Sequence, residues 1–130
     1  MSSFTEPLTL TKLKDGLWKV DRAFKYYVGE DGSDDIISIK KGFITDGASI
    51  PRPFFSLIGG PMGEYVQSAV VHDYGYQIME RPRKEVDKIF LEGMKVLGVS
   101  FWKRHIMYRA VRMNLPAEIR WRKHGANKKD

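Results

Sequence analysis

The sequence changes its hydrophobic pattern across one proline- and glycine-rich segment, and this change constrains the fold more than any other feature. Residues 46–61 contain three prolines and three glycines, so they can form neither a regular helix nor a central strand. The stretches before this segment have the pattern of strands, and those after it have the period of helices. The sequence therefore predicts an α+β fold in which a small N-terminal antiparallel sheet precedes a three-helix segment.

The predicted sheet is built from three stretches rich in β-branched and aromatic residues. These stretches are residues 17–20, 23–29 and 36–45. Glycine and aspartate in residues 30–35 favour a turn between the second stretch and the third. Residues 1–12 are polar, and we expect them to form an extended N-terminal segment.

Three helices are predicted after the proline-rich segment, within a single domain that covers residues 1–130. Their expected extents are residues 63–79, 83–98 and 100–114. Pro82 suits the first turn of the second helix, and Gly98 suits the residue after its end. Pro116 is expected to end the third helix, which leaves residues 117–130 as a basic C-terminal tail anchored by Trp121.

The composition excludes several classes of protein. The chain has no cysteine, which excludes disulfide bonds and thiolate metal sites. It has no run of about 20 apolar residues that could cross a bilayer, and residues 1–12 lack the pattern of a signal peptide. A soluble protein is therefore expected.

The chain is basic, with a formal charge of +6 and a sequence pI of about 9.5. The positive excess is concentrated from Lys103 onwards. Such a distribution favours contact with anions, which include phospholipid headgroups, nucleic acid and acidic proteins, but it is equally typical of a solvated helix. No recognised nucleic-acid-binding motif is present in the sequence.

The first predicted helix directs one histidine towards the interior. His72 and Tyr76 follow Tyr65 and Ala69 on its apolar face, at spacings of three and four residues. On the second helix, Asp87 is the carboxylate directed to the apolar side. The short connection makes the two helices antiparallel neighbours, so His72 and Asp87 can lie at similar heights. A His–Asp hydrogen bond suits a general base, and it can equally close two helices as a structural pair.

Two further carboxylates can converge beside this histidine. Asp73 lies about 100° round the helix from His72, at the edge of the interior, where a loop can reach it. Asp46 is our candidate to approach it from the proline-rich segment, and Gly47 allows the backbone to come close to a ligand. Hard cations such as Ca²⁺ prefer oxygen ligands of this kind, although an Asp before a Gly also forms ordinary turns. Asp46, Gly47 and Asp73 are therefore a candidate metal site.

Three separated motifs make the chain resemble a known family. Residues 42–55, 69–76 and 81–112 resemble, in the same order, a family of phage and prophage proteins called domain of unknown function 1353. The resemblance extends over residues 17–113, which is most of the chain. It implies a phage-encoded protein that is made in the host cytoplasm without a signal peptide and that can be incorporated in the virion.

A second resemblance covers only the predicted helix pair. Residues 72–77 and 83–95 are similar to the paired helices of prokaryotic secreted phospholipases A2. This resemblance implies that His72 activates water, that Asp87 orients His72, and that Tyr76 donates a hydrogen bond to Asp87. The expected chemistry is therefore hydrolysis of an ester.

The same resemblance implies a calcium ion at the site. Asp73 corresponds to a ligand of Ca²⁺, and Asp46 and the Gly47 carbonyl are our candidates for the ligands that an upstream loop supplies. Unlike those phospholipases, this chain lacks cysteine, begins with predicted strands and has a short spacing between the histidine and the second aspartate.

Two functions are consistent with these patterns. The first is a calcium-dependent hydrolase of lipid esters, whose partner is a phospholipid or membrane surface. The second is a virion structural component of the tail or baseplate, in which the same cluster is a stabilising metal site or a polar core. Trp102, Tyr108 and Trp121 would then contact other phage structural proteins. A third hypothesis, an inhibitor or nucleic-acid binder, rests on the charge alone.

Overall fold

The strands of the N-terminal third form two small antiparallel sheets. The computed structural model describes residues 1–46 and 63–124 of the chain. Within these residues the strands are β1 (Ser3–Phe4), β2 (Leu10–Lys12), β3 (Trp18–Val20), β4 (Phe24–Tyr27), β5 (Ile36–Ile39) and β6 (Ile44–Thr45). One sheet has the order β1-β4-β5, and the other has the order β2-β3-β6. The expected α+β class is confirmed, and the single sheet of the prediction is divided into two.

Alternation along the two longest strands places one face of the first sheet in the core. In β4, Phe24 and Tyr26 are buried while Lys25 between them is exposed. β5 pairs antiparallel with β4, which sets its buried residues Ile37 and Ile39 opposite them. Because side chains in a strand alternate between the two faces, these residues form one apolar layer.

The strand expected over residues 36–45 is interrupted, and its two halves belong to different sheets. Gly42 has a φ of 91°, a conformation that glycine adopts without the strain of a side chain. Its N–H donates to the Val20 carbonyl at 2.7 Å, and the Val20 N–H donates to the Phe43 carbonyl at 2.9 Å. The chain therefore turns out of β5 and enters the second sheet as β6. Residues 1–12, the expected extended segment, supply β1 and β2 at the edges of the two sheets.

Helices form the rest of the described chain. They are α1 (Val66–Ile78), α2 (Arg83–Val96), α3 (Phe101–Arg112) and α4 (Leu115–His124). α1 ends at Met79, whose backbone is left-handed and whose N–H donates to the Gly75 carbonyl. α2 begins after Pro82, and Gly98 follows its end with a φ of 85°. The expected limits of the first three helices are confirmed to within three residues. No helix in the described parts of the chain is long and apolar enough to cross a membrane.

α1 and α2 are antiparallel neighbours that approach closely at two glycines. A Cβ atom at Gly75 would lie 2.6 Å from Cγ1 of Val86, so the packing here requires a residue without a side chain. Gly93 of α2 faces Ser68 of α1, whose hydroxyl donates to the Phe90 carbonyl at 2.9 Å. This close packing sets the register of the helix pair and decides which side chains of α1 meet those of α2.

α1 is buried between the first sheet and the other helices. On one side, Val70 and Val71 pack in the cluster that contains the apolar layer of the sheet. On the other side, Ala69 packs in a cluster with Phe90 of α2 and Met107 of α3. Polar side chains on α1 therefore lie in or beside a dry interior, where each needs a partner.

We expected a basic tail from residue 117 onwards, but the chain forms the helix α4 as far as His124. Pro116 lies in the first turn of α4, where its missing N–H removes no helical bond. Oδ1 of Asn114 accepts the Ala117 N–H at 3.2 Å and so caps the new helix. Trp121 is buried, and its indole N–H donates to the Arg81 carbonyl at 3.0 Å. This contact fastens α4 to the connection between α1 and α2.

Candidate active site

The antiparallel helix pair brings His72 of α1 against Asp87 of α2. Nε2 of His72 lies 2.7 Å from Oδ1 of Asp87, and the two residues are 1% and 0% exposed. An ionised carboxylate can only accept a hydrogen bond, so the neutral histidine carries its proton on Nε2 in this pair. The geometry is that of a histidine oriented by a carboxylate.

Tyr76, one turn after His72, shares the same carboxylate oxygen. Its hydroxyl donates to Oδ1 of Asp87 at 2.5 Å, and its ring lies 4.1 Å from the His72 ring between centroids. Burial, and then the negative charge of Asp87, raise the pKa of the Tyr76 hydroxyl. The hydroxyl therefore keeps its proton and remains a hydrogen-bond donor to Asp87.

The other carboxylate oxygen of Asp87 faces two arginines. Nη1 of Arg112, from the end of α3, lies 2.7 Å from Oδ2, and Nη1 of Arg83 lies 3.5 Å from it. Arg83 is 2% exposed, so its guanidinium belongs to the interior. Two cations beside one buried carboxylate compensate a charge that would otherwise be costly to bury.

Neither arginine is among the site residues that the sequence pattern predicts. Arg83 has a detectable signal, because it precedes Asp87 by four residues and so lies on the same face of α2. Arg112 has no such signal, because it lies on another helix and 25 residues away in sequence.

The second ring nitrogen of His72 has no hydrogen-bond partner in the described part of the chain. Nδ1 is buried, and no donor or acceptor among residues 1–46 and 63–124 reaches it. Besides Tyr76, the Phe90 ring lies beside the imidazole, with 4.8 Å between centroids. With the proton on Nε2, Nδ1 carries a lone pair, so it can accept a proton from a molecule that enters this position.

Asp73 points away from the dyad and meets the end of β6. Its Oδ2 accepts the Asp46 backbone N–H at 3.3 Å and the Gln77 side-chain N–H at 3.2 Å. Burial raises the pKa of Asp73 to about 6, the Thr45 side chain opposes this change by a hydrogen bond, and the charge of Asp46 adds to it. The structure thus brings Asp46 and Asp73 together at the end of β6.

A cleft opens where these two carboxylates lie. Its volume is about 680 Å³, which is within the range of sites for small ligands. The cleft is lined by Leu17, Ile44, Asp46, Asp73, Tyr76, Gln77, Met79, Asn114, Pro116, Ala117 and Arg120. Tyr76 is thus shared between the cleft and the dyad, whereas His72 and Asp87 do not line the cleft.

The carboxylate pair offers two of the oxygen ligands that a calcium site would need. Two carboxylates fit the preference of Ca²⁺ for oxygen, but the ion takes about six to eight oxygen ligands. The described residues contain no group of three or more His, Cys, Asp or Glu side chains that could hold a metal. Gly47, the third predicted ligand, lies outside the described residues, as does most of the proline-rich segment that precedes α1.

Comparison with known proteins identifies a family and two relatives. The family model described as "Protein of unknown function (DUF1353)" matches residues 18–111. The uncharacterized protein y4jT of Sinorhizobium fredii (strain NBRC 101917 / NGR234) is 42% identical over 74 residues, which are 56% of this chain and 22% of that protein. The uncharacterized protein y4iH of the same strain is 34% identical over 68 residues, 52% of this chain and 28% of that protein. The chain therefore spans about a quarter of the length of these relatives. No solved structure matches it.

Proposed function

We propose that this chain, which belongs to the DUF1353 family, is an ester hydrolase in which His72 deprotonates the attacking water. One observation carries the proposal. His72 binds Asp87 through Nε2, while Nδ1 is buried and has no hydrogen-bond partner in the described part of the chain. A buried polar atom without a partner costs about 1–3 kcal/mol. A purely structural pair needs only the bond to Asp87, whereas a general base also needs a second nitrogen that no side chain of the protein occupies.

The proposed reaction consumes one water molecule and one ester. Nδ1 of His72 takes a proton from the water while the water oxygen forms a bond to the ester carbonyl carbon. Asp87 stabilises the imidazolium that results. The tetrahedral intermediate then breaks its bond to the alcohol oxygen, which takes the proton from His72. A carboxylic acid and an alcohol leave, and His72 is neutral again.

Asp46 and Asp73 are the residues that would hold Ca²⁺, with the Gly47 carbonyl as a further candidate. The donor set supports this role, because it contains two adjacent carboxylates. Burial raises the pKa of Asp73 to about 6, and a bound cation would favour the ionised form of this carboxylate. When bound, the ion would polarise the ester carbonyl and stabilise negative charge on its oxygen.

A lipid ester at a phospholipid surface is the proposed substrate. Leu17, Ile44 and Met79 line the cleft beside Asp73 and offer apolar contact to an acyl chain. The net charge of +6 favours approach to anionic headgroups. The similarity of the helix pair to phospholipases A2 supports the same substrate class. A phage or prophage is the proposed source, on the resemblance of the three motifs to phage proteins.

The test compares His72→Gln with His124→Gln, which changes an exposed histidine at the end of α4. Both variants and the wild type are assayed for release of fatty acid from mixed-phospholipid vesicles, with Ca²⁺ or with a chelator. We expect His72→Gln to abolish turnover while its circular dichroism spectrum is unchanged, and His124→Gln to keep full turnover. Turnover that persists in His72→Gln would refute the role of His72. A wild type that hydrolyses no acyl ester would refute the hydrolase.

A structural component of a virion, in the tail or baseplate, is the second candidate. Its support is the surface of α3, where Phe101 and Trp102 are 66% and 50% exposed. Exposed aromatic side chains of this kind are typical of a surface that another protein covers. In that case the enclosed pair of His72 and Asp87 is a polar core. Detection of the protein at a fixed copy number in purified particles would support this function, and its absence from them would refute it.

A further inference from the structure

We propose that Arg112 is a positioning residue, which holds Asp87 in the orientation that keeps the lone pair of His72 on Nδ1. The catalytic consequence rests on the proposed function, whereas the geometry rests on the contacts of Asp87 alone. Nη1 of Arg112 lies 2.7 Å from Oδ2 of Asp87, and His72 and Tyr76 both contact Oδ1. Each oxygen of the carboxylate therefore has its own donors.

Arg112 reaches Asp87 because the end of α3 is fastened to the start of α2. Nη1 and Nη2 of Arg83 donate to the carbonyls of Val111 and Arg112, at 3.2 and 3.4 Å. These carbonyls belong to the last turn of α3, where the N–H donors of a following helical turn are missing and a cation is favourable. The Val111 carbonyl also accepts the Asn114 N–H at 3.3 Å. The Arg112 side chain of α3 in turn binds Asp87 of α2. The end of α3 and the start of α2 are therefore joined by two arginine contacts, one from each helix.

The contact on Oδ2 matters because the carboxylate can turn about the Cβ–Cγ bond, and a partial turn carries Oδ1 out of line with Nε2 of His72. While Oδ2 is bound to Arg112, such a turn breaks hydrogen bonds on both oxygens at once. Asp87 is 0% exposed, so bulk water does not replace the broken bonds. Arg112 thereby keeps Oδ1 in front of Nε2 of His72.

The position of Oδ1 decides the tautomer of His72. As long as Nε2 donates its proton to Oδ1, the lone pair stays on Nδ1, where the proposed reaction needs it. If Oδ1 leaves this position, the preference for the Nε2 proton is lost and a fraction of the rings carries the proton on Nδ1. Such rings cannot take a proton from water at that atom. A residue of α3 therefore controls a base on α1 through a carboxylate on α2.

The experiment compares Arg112→Gln and Arg112→Lys with a matched control, Arg109→Gln. Arg109 lies on the exposed side of α3, so its substitution makes the same change of charge on the same helix. Three quantities are measured: the ¹⁵N signals of the His72 ring in substrate-free protein, thermal unfolding by circular dichroism, and kcat and KM for release of fatty acid from mixed-phospholipid vesicles.

We expect one tautomer, with the proton on Nε2, in the wild type and in Arg109→Gln. In Arg112→Gln we expect a mixture of the two tautomers and a kcat lowered on the order of 10- to 100-fold, with KM nearly unchanged. Arg112→Lys keeps a cation with a different reach, so its tautomer population and kcat are expected between those of wild type and Arg112→Gln. A contribution to stability alone would lower the melting temperature and leave the tautomer and kcat unchanged.

A folded Arg112→Gln with one Nε2-protonated tautomer and wild-type kcat would overturn the proposal. If Arg112→Gln does not fold, Arg112→Lys decides by the same criteria: mixed tautomers support the proposal, and a wild-type tautomer with wild-type kcat overturns it. The tautomer measurement needs no substrate. A wild type without turnover would therefore refute the hydrolase, while the ¹⁵N signals would still decide the role of Arg112.

Discussion

The two halves of the candidate active site are built in opposite ways. His72 and Asp87 are almost completely enclosed, and side chains from three helices hold them. Asp46, in contrast, is exposed, and it meets Asp73 through its backbone N–H at the end of β6. Helix packing therefore positions the two residues of the dyad, whereas the end of a strand positions the carboxylate pair.

This difference in construction implies a difference in energetics. In the enclosed half, the polar groups bind one another and bulk water does not reach them. The loss of one partner therefore leaves the other without a hydrogen bond. In the open half, Asp46 is exposed, so solvent can replace a contact that it loses and screens its charge, whereas Asp73 is partly buried. Substitutions should therefore affect stability strongly at the dyad and weakly at Asp46.

Asp87→Ala has the largest expected effect, because it removes the acceptor of a buried network. Nε2 of His72 and the hydroxyl of Tyr76 then remain buried without their shared acceptor. We expect the free energy of unfolding to fall by about 3–5 kcal/mol, measured by urea unfolding. Asp46→Ala, the control in the open half, should change it by less than about 0.5 kcal/mol. Equal losses at the two positions would remove the distinction between the halves.

Tyr76→Phe should have the next largest effect, because it deletes a hydrogen bond to a buried charge. The expected loss is about 1.5–3 kcal/mol in the free energy of unfolding, together with a lower kcat. Tyr74→Phe is the matched control two residues earlier, where the ring packs edge-on against Phe43. If Tyr76→Phe is as stable as Tyr74→Phe, the hydroxyl contributes nothing to holding Asp87.

Gly75→Ala tests whether the close approach of α1 and α2 stabilises the helix pair that carries the dyad. The added Cβ would lie 2.6 Å from Cγ1 of Val86, so we expect a loss of about 1–3 kcal/mol by urea unfolding. The double variant Gly75→Ala/Val86→Ala relieves this overlap. Its loss should be smaller than the sum of the two single losses. Simple additivity would show that the loss in Gly75→Ala does not come from contact with Val86.

Asp73→Asn should have an effect that is small at low pH and grows as the pH rises. Burial raises the pKa of Asp73 to about 6 from the ordinary 3.8, against the opposing hydrogen bond from the Thr45 side chain. The folded protein therefore holds this proton more tightly than the unfolded chain does. The resulting stabilisation is fully present below 3.8 and is lost as the pH rises through about 6.

The measurement is thermal unfolding in the presence of a chelator. Asp73→Asn should melt close to wild type at about pH 4 and above wild type at about pH 8, because the variant never carries the buried charge. A wild type that melts above Asp73→Asn at about pH 8 would contradict burial as the cause of the raised pKa. Added Ca²⁺ should raise the melting temperature of the wild type only, if Asp73 is a ligand.

Much of the enclosed half could be predicted from the sequence, because its signals are local. His72 and Tyr76 share a helix face at a spacing of four residues, and the same periodicity directs Asp87 inwards. The limits of α2 follow from Pro82 before its start and Gly98 after its end. Pro116 is ambiguous in the sequence, because a proline can either follow one helix or begin the next, and the structure places it in the first turn of α4.

The sequence by itself determined which residues of each helix face inwards and that Asp87 needs a partner, since both follow from the helical period and the cost of burying a charge. Only the tertiary structure decided that Arg112 is one of its partners, and that β6 ends where the Asp46 N–H meets Asp73. The physical reason is that periodicity assigns a side chain to a face of its own element. Which distant element meets that face depends on the packing of the whole chain.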